Sequence, residues 1–173
     1  MREWRRDADE LCIRRFRDGI RTQESEYLGT LEVWNCTFAK MREVGVDHQG
    51  GDLVLKNSII TAHERGEIGL AATGTGLATH SHNLLFGFAE PFQGLDRHAG
   101  ERIANPRFVS LEEGDYRLRN GSPGINAGTD ASGLVGTDIA GNPRPSHGAW
   151  KLGAHEYLQQ GGSFRVLKWQ ERR

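Results

Sequence analysis

Several features that would settle the class of this chain at once are scarce or missing. Two cysteines, Cys12 and Cys36, stand among 173 residues. That is too few for a disulfide framework, no Cys/His cluster has zinc-ligand spacing, and both read as buried free thiols. No run of about 18 apolar residues exists, so no segment reads as a membrane-spanning helix. The N-terminus, MREWRRDADE, is charged and is not followed by an apolar core, so it does not read as a secretory signal peptide. Charge of one sign is also lacking: 22 Lys and Arg against 23 Asp and Glu leave a net charge of -1. No overall field gathers a polyanion, and nucleic acid is not an expected partner. Two settings fit these absences: a chain that stays in the cytoplasm, or part of a longer exported chain.

Glycine is abundant, at 23 of 173 residues, nearly twice the roughly 7% of an average chain. With no G-X-Y period, and with aromatic and β-branched residues throughout, this describes a chain that turns often between short strands. The strands repeat. Leu31, Val33, Asn35 and Phe38 match Leu53, Leu55, Asn57 and Ile60 at an offset of 22 residues. A third copy, Thr79, Ser81, Asn83 and Phe86, follows at a further 26, and a weaker one, Asp9, Leu11, Ile13 and Phe16, precedes them with Ile13 in the Asn slot. One Gly-aliphatic step falls in each interval: Gly19-Ile20, Gly45-Val46 and Gly69-Leu70.

Apolar residues alternating with period 2 make a strand with one buried face, and repeats of this length without helical periodicity stack as coils of a solenoid. Equivalent residues then lie about 4.8 Å apart on successive coils. Asn35, Asn57 and Asn83 are expected to form a ladder that bonds each turn to its neighbours. The glycines mark a second corner, where positive φ or close packing excludes a side chain. In this register Cys12 sits beside Trp34 rather than Cys36, so no bridge between the cysteines is expected.

The segments LEVWNCTF, LVLKNSIIT and SHNLLFG resemble coils of right-handed parallel β-helix proteins of the pectate-lyase-like superfamily. DYRLRNGSPGINAGT, DIAGNPRP and LGAHEY are similar to the closing segment of many such proteins, among them chondroitinase B and alginate-lyase-like polysaccharide lyases and choice-of-anchor Q surface proteins. The resemblance spans roughly residues 11 to 157. It implies an all-β fold, a right-handed parallel β-helix of about four short coils with a C-terminal closing segment. It also implies acidic polysaccharide as a partner, polysaccharide lyase activity if the chain is an enzyme, calcium as in several such families, and an extracellular setting. Missing N-terminal coils of a longer chain are a further implied partner. The expected organisation is a cap or linker over 1–10, helical over about 2–10; coils over 11–110; a closing segment over 111–157; and a basic tail over 158–173.

Alternation of faces turns Val54 and Lys56 outward if Leu53 and Leu55 point inward. The same register yields two outward columns, Trp34, Lys56, His82 and Glu32, Val54, His80. An aromatic, a cation and an imidazole in line suit an acidic polysaccharide, Trp34 stacking on a sugar face and Lys56 meeting a carboxylate. The bland alternative is an ordinary solvated sheet face. A second candidate is His63-Glu64-Arg65 with Asp47 and His48 in the coil before, since a uronate lyase needs a base and a cation for the enolate. No catalytic residue is assigned. His80-Ser81-His82 offers two imidazoles but no third metal ligand. Asp138 and Asn142 read as a structural turn, Asn35 in its glycosylation-type triplet as a ladder residue, and Arg144 with Glu156 as an ion pair tying the closing loop to the last coil. The function expected is therefore a polysaccharide-associated β-helix module, and the alternative a purely structural or surface-display segment without activity.

Overall fold

A computed structural model describes residues 12–14, 18–22 and 29–158. The expected cap over 1–10 and all of the basic tail after Leu158 lie outside the described residues. The strands are β1 (Cys12–Arg14), β2 (Ile20–Arg21), β3 (Thr30–Trp34), β4 (Thr37–Met41), β5 (Val44–His48) and β6 (Asp52–Lys56). They continue as β7 (Ile59–Ala72), β8 (Ala78–Ser81), β9 (Leu84–Gln93), β10 (Arg102–Ile103), β11 (Phe108–Ser110) and β12 (Asp115–Leu118). No helix occurs among the described residues. The chain is an all-β parallel solenoid of about four turns.

Each coil contributes to three faces. β3, β6 and β8 stack in parallel as one sheet. β1, β4 and the first halves of β7 and β9 stack as a second. β2, β5 and the later parts of β7 and β9 form the third, with β7 and β9 turning the corner where their register shifts between Thr61 and Gly66. Phe38, Met41, Val46, Leu53, Leu55, Ile60, Leu70 and Leu85 fill the interior.

The 22-residue offset holds, pairing Leu31 with Leu53 and Val33 with Leu55. The next coil is corrected by one residue. Leu55 pairs with His80, Lys56 with Ser81 and Ile60 with Leu85, an offset of 25 and not 26. A slip of one residue exchanges the two faces of a strand. His80 is therefore an inward residue, Leu85 takes the core slot assigned to Phe86, and Phe86 faces out. The weak first copy shifts as well: Ile13 pairs with Phe38 rather than with Asn35, and Cys12 with Thr37. Cys36 is a buried free thiol.

The glycine corner holds through close packing. A Cβ on Gly19 would lie 2.4 Å from the Gly45 carbonyl oxygen, and one on Gly45 would lie 2.3 Å from that of Gly69. At the other corner the backbone is left-handed at Asn35, Asn57 and His82, with φ of 51°, 55° and 54°. Asn tolerates this conformation better than most residues. Asn57 Nδ2 donates to Asn35 Oδ1 at 3.3 Å, so the ladder joins these two coils. Asn83 stands one place later, where its Oδ1 accepts from Ser58 N at 2.8 Å and its Nδ2 donates to the Leu55 carbonyl at 2.9 Å.

The rest of the chain folds back over the second sheet. The antiparallel hairpin of β11 and β12 and the irregular segment after it bury Ala39, Ile59 and Leu84 from outside beneath Phe108, Tyr116, Leu118, Ala127 and Leu152. Both faces of β4 are consequently buried. Burying each large apolar side chain in this outer layer contributes about 1.5–3 kcal/mol, so the closing segment is a second half of the core.

Candidate functional site

Trp34 and Lys56 are aligned as expected on the outer face of the first sheet, with Glu32 opposite Val54 beside them. Their groups are largely engaged with one another. Trp34 Nε1 donates to Glu32 Oε2 at 3.2 Å, and Lys56 Nζ lies 5.2 Å from the centre of the Trp34 ring. The indole also packs against Ala131, Val135 and Trp150 of the closing segment. A ring held between a cation and an apolar cluster has little face left for a sugar. His80 and His82 do not extend this column.

His80 lies inside the end of the solenoid. Its Nδ1 is 3.0 Å from Glu101 Oε1, and both side chains are buried. Asn83 Nδ2 donates to the same carboxylate oxygen at 3.0 Å. The His80 ring stacks on Phe92 and meets His98 edge-on at 4.7 Å between centroids. His82 is at the corner, its ring covered by the backbone of Gly100. These contacts fasten the 94–101 loop over the last coil. Among the described residues no group of three His, Cys, Asp or Glu side chains is placed to hold a metal.

The other sequence candidates are dispersed. Asp47 and His48 are buried and stand opposite Ala71 and Ala72, away from His63, Glu64 and Arg65 at the bend of β7. Asp47 Oδ2 pairs with Arg21 Nε at 3.0 Å, and His48 Nε2 is 2.7 Å from the Gly51 carbonyl. Asp138 is a turn residue: its Oδ1 accepts from Ala140 N and Asn142 N at 2.9 and 2.8 Å, and its Oδ2 from Glu156 N at 2.8 Å. Burial raises the Asp138 pKa, but these hydrogen bonds and the Asn142 side chain outweigh it and hold the carboxyl below its usual value. Arg144 Nη1 meets Glu156 Oε2 at 3.4 Å, and Lys151 Nζ meets Glu156 Oε1 at 2.8 Å, a closer partner that the repeat pattern did not reveal.

Among the described residues, two cavities lie on the closing segment. The larger is a groove of 540 Å³ between the outer face of the second sheet and the hairpin. Its floor includes Thr61 and the exposed ring of Phe86, and its walls carry Arg107, Arg119, Asn105 and Ser110. Arg107 donates to the Gly121 carbonyl at 3.2 Å and Arg119 to that of Val109, leaving most of the five donors of each guanidinium for solvent or ligand. Glu112, on the same wall, pairs with Lys40 at 2.7 Å, and with Arg107 and Arg119 it leaves the lining one positive charge in excess. The smaller is a cleft of 390 Å³ around the turn that follows β12, and Asn120 lines both.

The sequence contained a signal for this groove. Tyr116 and Leu118 are apolar at alternate positions, which sends Arg117 and Arg119 to the other face. Phe86 was hidden by the register slip, because Leu84-Leu85-Phe86 offers an apolar residue to either face. Arg107 lies outside any repeat.

Compared with protein-family models, curated proteins and solved structures, the chain gives no match in any of the three.

Proposed function

We propose that the chain is a polysaccharide-associated β-solenoid module that binds an acidic polysaccharide along the groove between the second sheet and the β11–β12 hairpin. The observation that carries this reading is the pairing of Arg107 and Arg119 with an exposed aromatic floor, Phe86. Guanidinium groups present paired donors that fit carboxylate or sulfate oxygens. An aromatic ring supplies an apolar surface for the C–H face of a sugar, and a site of this size belongs to the ligand-pocket range of about 300–1,000 Å³. The resemblance to polysaccharide-lyase-like β-helices points to the same substrate class. It does so from repeat and closing motifs that catalytic and non-catalytic β-helices share.

Calorimetric titration with polygalacturonate and hyaluronan oligosaccharides tests the proposal. Binding that weakens as salt screens the charges, and about tenfold in each of Arg107→Ala and Arg119→Ala, supports it. That factor corresponds to about 1.4 kcal/mol for each lost charged contact. Unchanged affinity in both variants overturns the groove as the site. Running the same mixtures with and without calcium, while following ultraviolet absorbance of unsaturated uronides, separates a lyase from a binder. A purely structural or surface-display segment is the second reading, favoured by the mutual engagement of Trp34, Glu32 and Lys56. Absence of binding to every polymer selects it.

A further inference from the structure

The cleft beside the groove differs from it in chemistry. Its exposed polar side chains are Asn120, Asn126 and His147, with half-buried Tyr157 and Ile125 completing the wall. Amide, phenol and imidazole groups both donate and accept hydrogen bonds, as sugar hydroxyls do. Lys151 also lines the cleft, but it is only 1% exposed, and its ammonium is committed to Glu156 Oε1 at 2.8 Å and to the His147 carbonyl. The cleft therefore presents hydrogen-bonding capacity and an apolar wall, and no exposed ammonium or guanidinium. The groove presents Arg107 and Arg119. Asn120 stands at the junction of the two cavities, and the Gly121 carbonyl of the same turn accepts from Arg107 at 3.2 Å.

We propose that the cleft is a second saccharide subsite that takes an uncharged sugar unit. The preferred ligand is then an acidic polysaccharide in which uncharged units separate the charged ones. This rests on the groove being a polysaccharide site. A polymer charged at every unit would place a carboxylate against the amides of Asn120 and Asn126 with no exposed ammonium or guanidinium beside it, and would lose part of the compensation it had in water.

The test compares, on the full chain, a hyaluronan oligosaccharide of alternating uronate and N-acetylhexosamine with an oligogalacturonate of the same length. The expected result is at least tenfold tighter binding of the alternating chain. Asn126→Gly removes one amide without straining a backbone whose φ is 52°, and Tyr157→Phe removes one hydroxyl. Together these substitutions should erase the preference, whereas Arg107→Ala weakens both ligands and leaves the preference in place. Equal or tighter binding of the oligogalacturonate by the unmodified chain, or a preference that survives in the double variant, overturns the uncharged subsite and leaves the groove reading standing. Failure of both ligands to bind overturns the groove reading and this inference with it.

Discussion

Asn57 Nδ2 donates to Asn35 Oδ1 at 3.3 Å across adjacent coils, and the same amide donates to the Thr129 carbonyl at 2.8 Å. The ladder that joins two coils thus also fastens the closing segment to the solenoid. Asn57 Oδ1 accepts from Thr129 N at 2.8 Å, and Asn35 Nδ2 donates to the Lys151 carbonyl at 2.9 Å. Thr37 Oγ1, at the start of β4 two residues after Asn35, accepts from Ala154 N at 2.9 Å. These bonds hold the segment that carries Lys151, part of the wall of the smaller cleft, so the repeat and that cleft share one set of polar contacts.

Asn57→Ala should cost about 3 kcal/mol, because it removes three side-chain hydrogen bonds and leaves Thr129 polar groups without their partner. Asn57→Gly loses the same bonds but fits a φ of 55° without a Cβ, so it should be the milder of the two. Urea denaturation of both variants decides this. Equal stability of Asn57→Ala and the unmodified chain would remove Asn57 from the contacts that hold the closing segment.

The glycines divide by the space around them. Gly45→Ala would place a Cβ 2.3 Å from the Gly69 carbonyl oxygen and 2.4 Å from Ile60 Cγ2. Backbone on both sides fixes that contact, and overpacking of this kind costs about 1–3 kcal/mol or more. Gly136→Ala meets nothing within 4 Å and has no positive φ, so it should be neutral or stabilising by about 0.4–1 kcal/mol through the unfolded chain. Thermal melts of the pair should separate in opposite directions.

The architecture was legible because its cause is periodic. Leu31, Val33, Leu53 and Leu55 alternate, and Gly19, Gly45 and Gly69 recur once per coil, so class, stacking and the glycine corner followed from spacing. The face of the last full coil was not legible, because its strands lose that contrast. Thr79, His80, Ser81 and His82 carry no apolar alternation, and Leu84-Leu85-Phe86 is apolar on both faces. Asn83 then drew the register toward Asn57, while the left-handed corner belongs to His82. Nothing local in the sequence told that His80 has Glu101 to pair with inside the solenoid. The groove walls come from residues 105–120, which pack back onto coils formed much earlier in the chain, and spacing within a repeat holds no trace of such a contact.

Glu156 should be the most sensitive member of the buried ion network. Its carboxylate answers both Lys151 and Arg144, and the side chains of all three are fully or almost fully buried. Glu156→Ala leaves two cations in the interior and should cost about 3–5 kcal/mol. Lys151→Met keeps the Arg144 contact and buries an unbranched apolar chain instead, so its loss should be smaller. Chemical denaturation gives the order, and a Glu156→Ala variant as stable as the unmodified protein would show that the pair does not tie the closing loop down.

Acid should weaken the fold in two steps. Burial lowers the pKa of His155 below its ordinary 6.5; Asp138 and Asp115 pull the other way, and Arg117 and Arg144 add to the lowering. The folded chain thus binds the His155 proton less readily than the unfolded chain does. Stability is full above the unfolded value and falls as the pH drops from about 6.5 toward the lower folded value. Asp138, held below its ordinary 3.8 by the Asn142 side chain and three backbone N–H groups against the opposing effect of burial, adds a second loss at more acid pH. Its contribution is present above 3.8 and disappears as the pH falls through the depressed folded value. Urea midpoints measured from pH 8 to pH 2.5 should show both slopes. His155→Gln should flatten the first, and Asp138→Asn should flatten the second while lowering stability at neutral pH. A midpoint constant between pH 8 and 5 in the unmodified protein would remove His155 from the account.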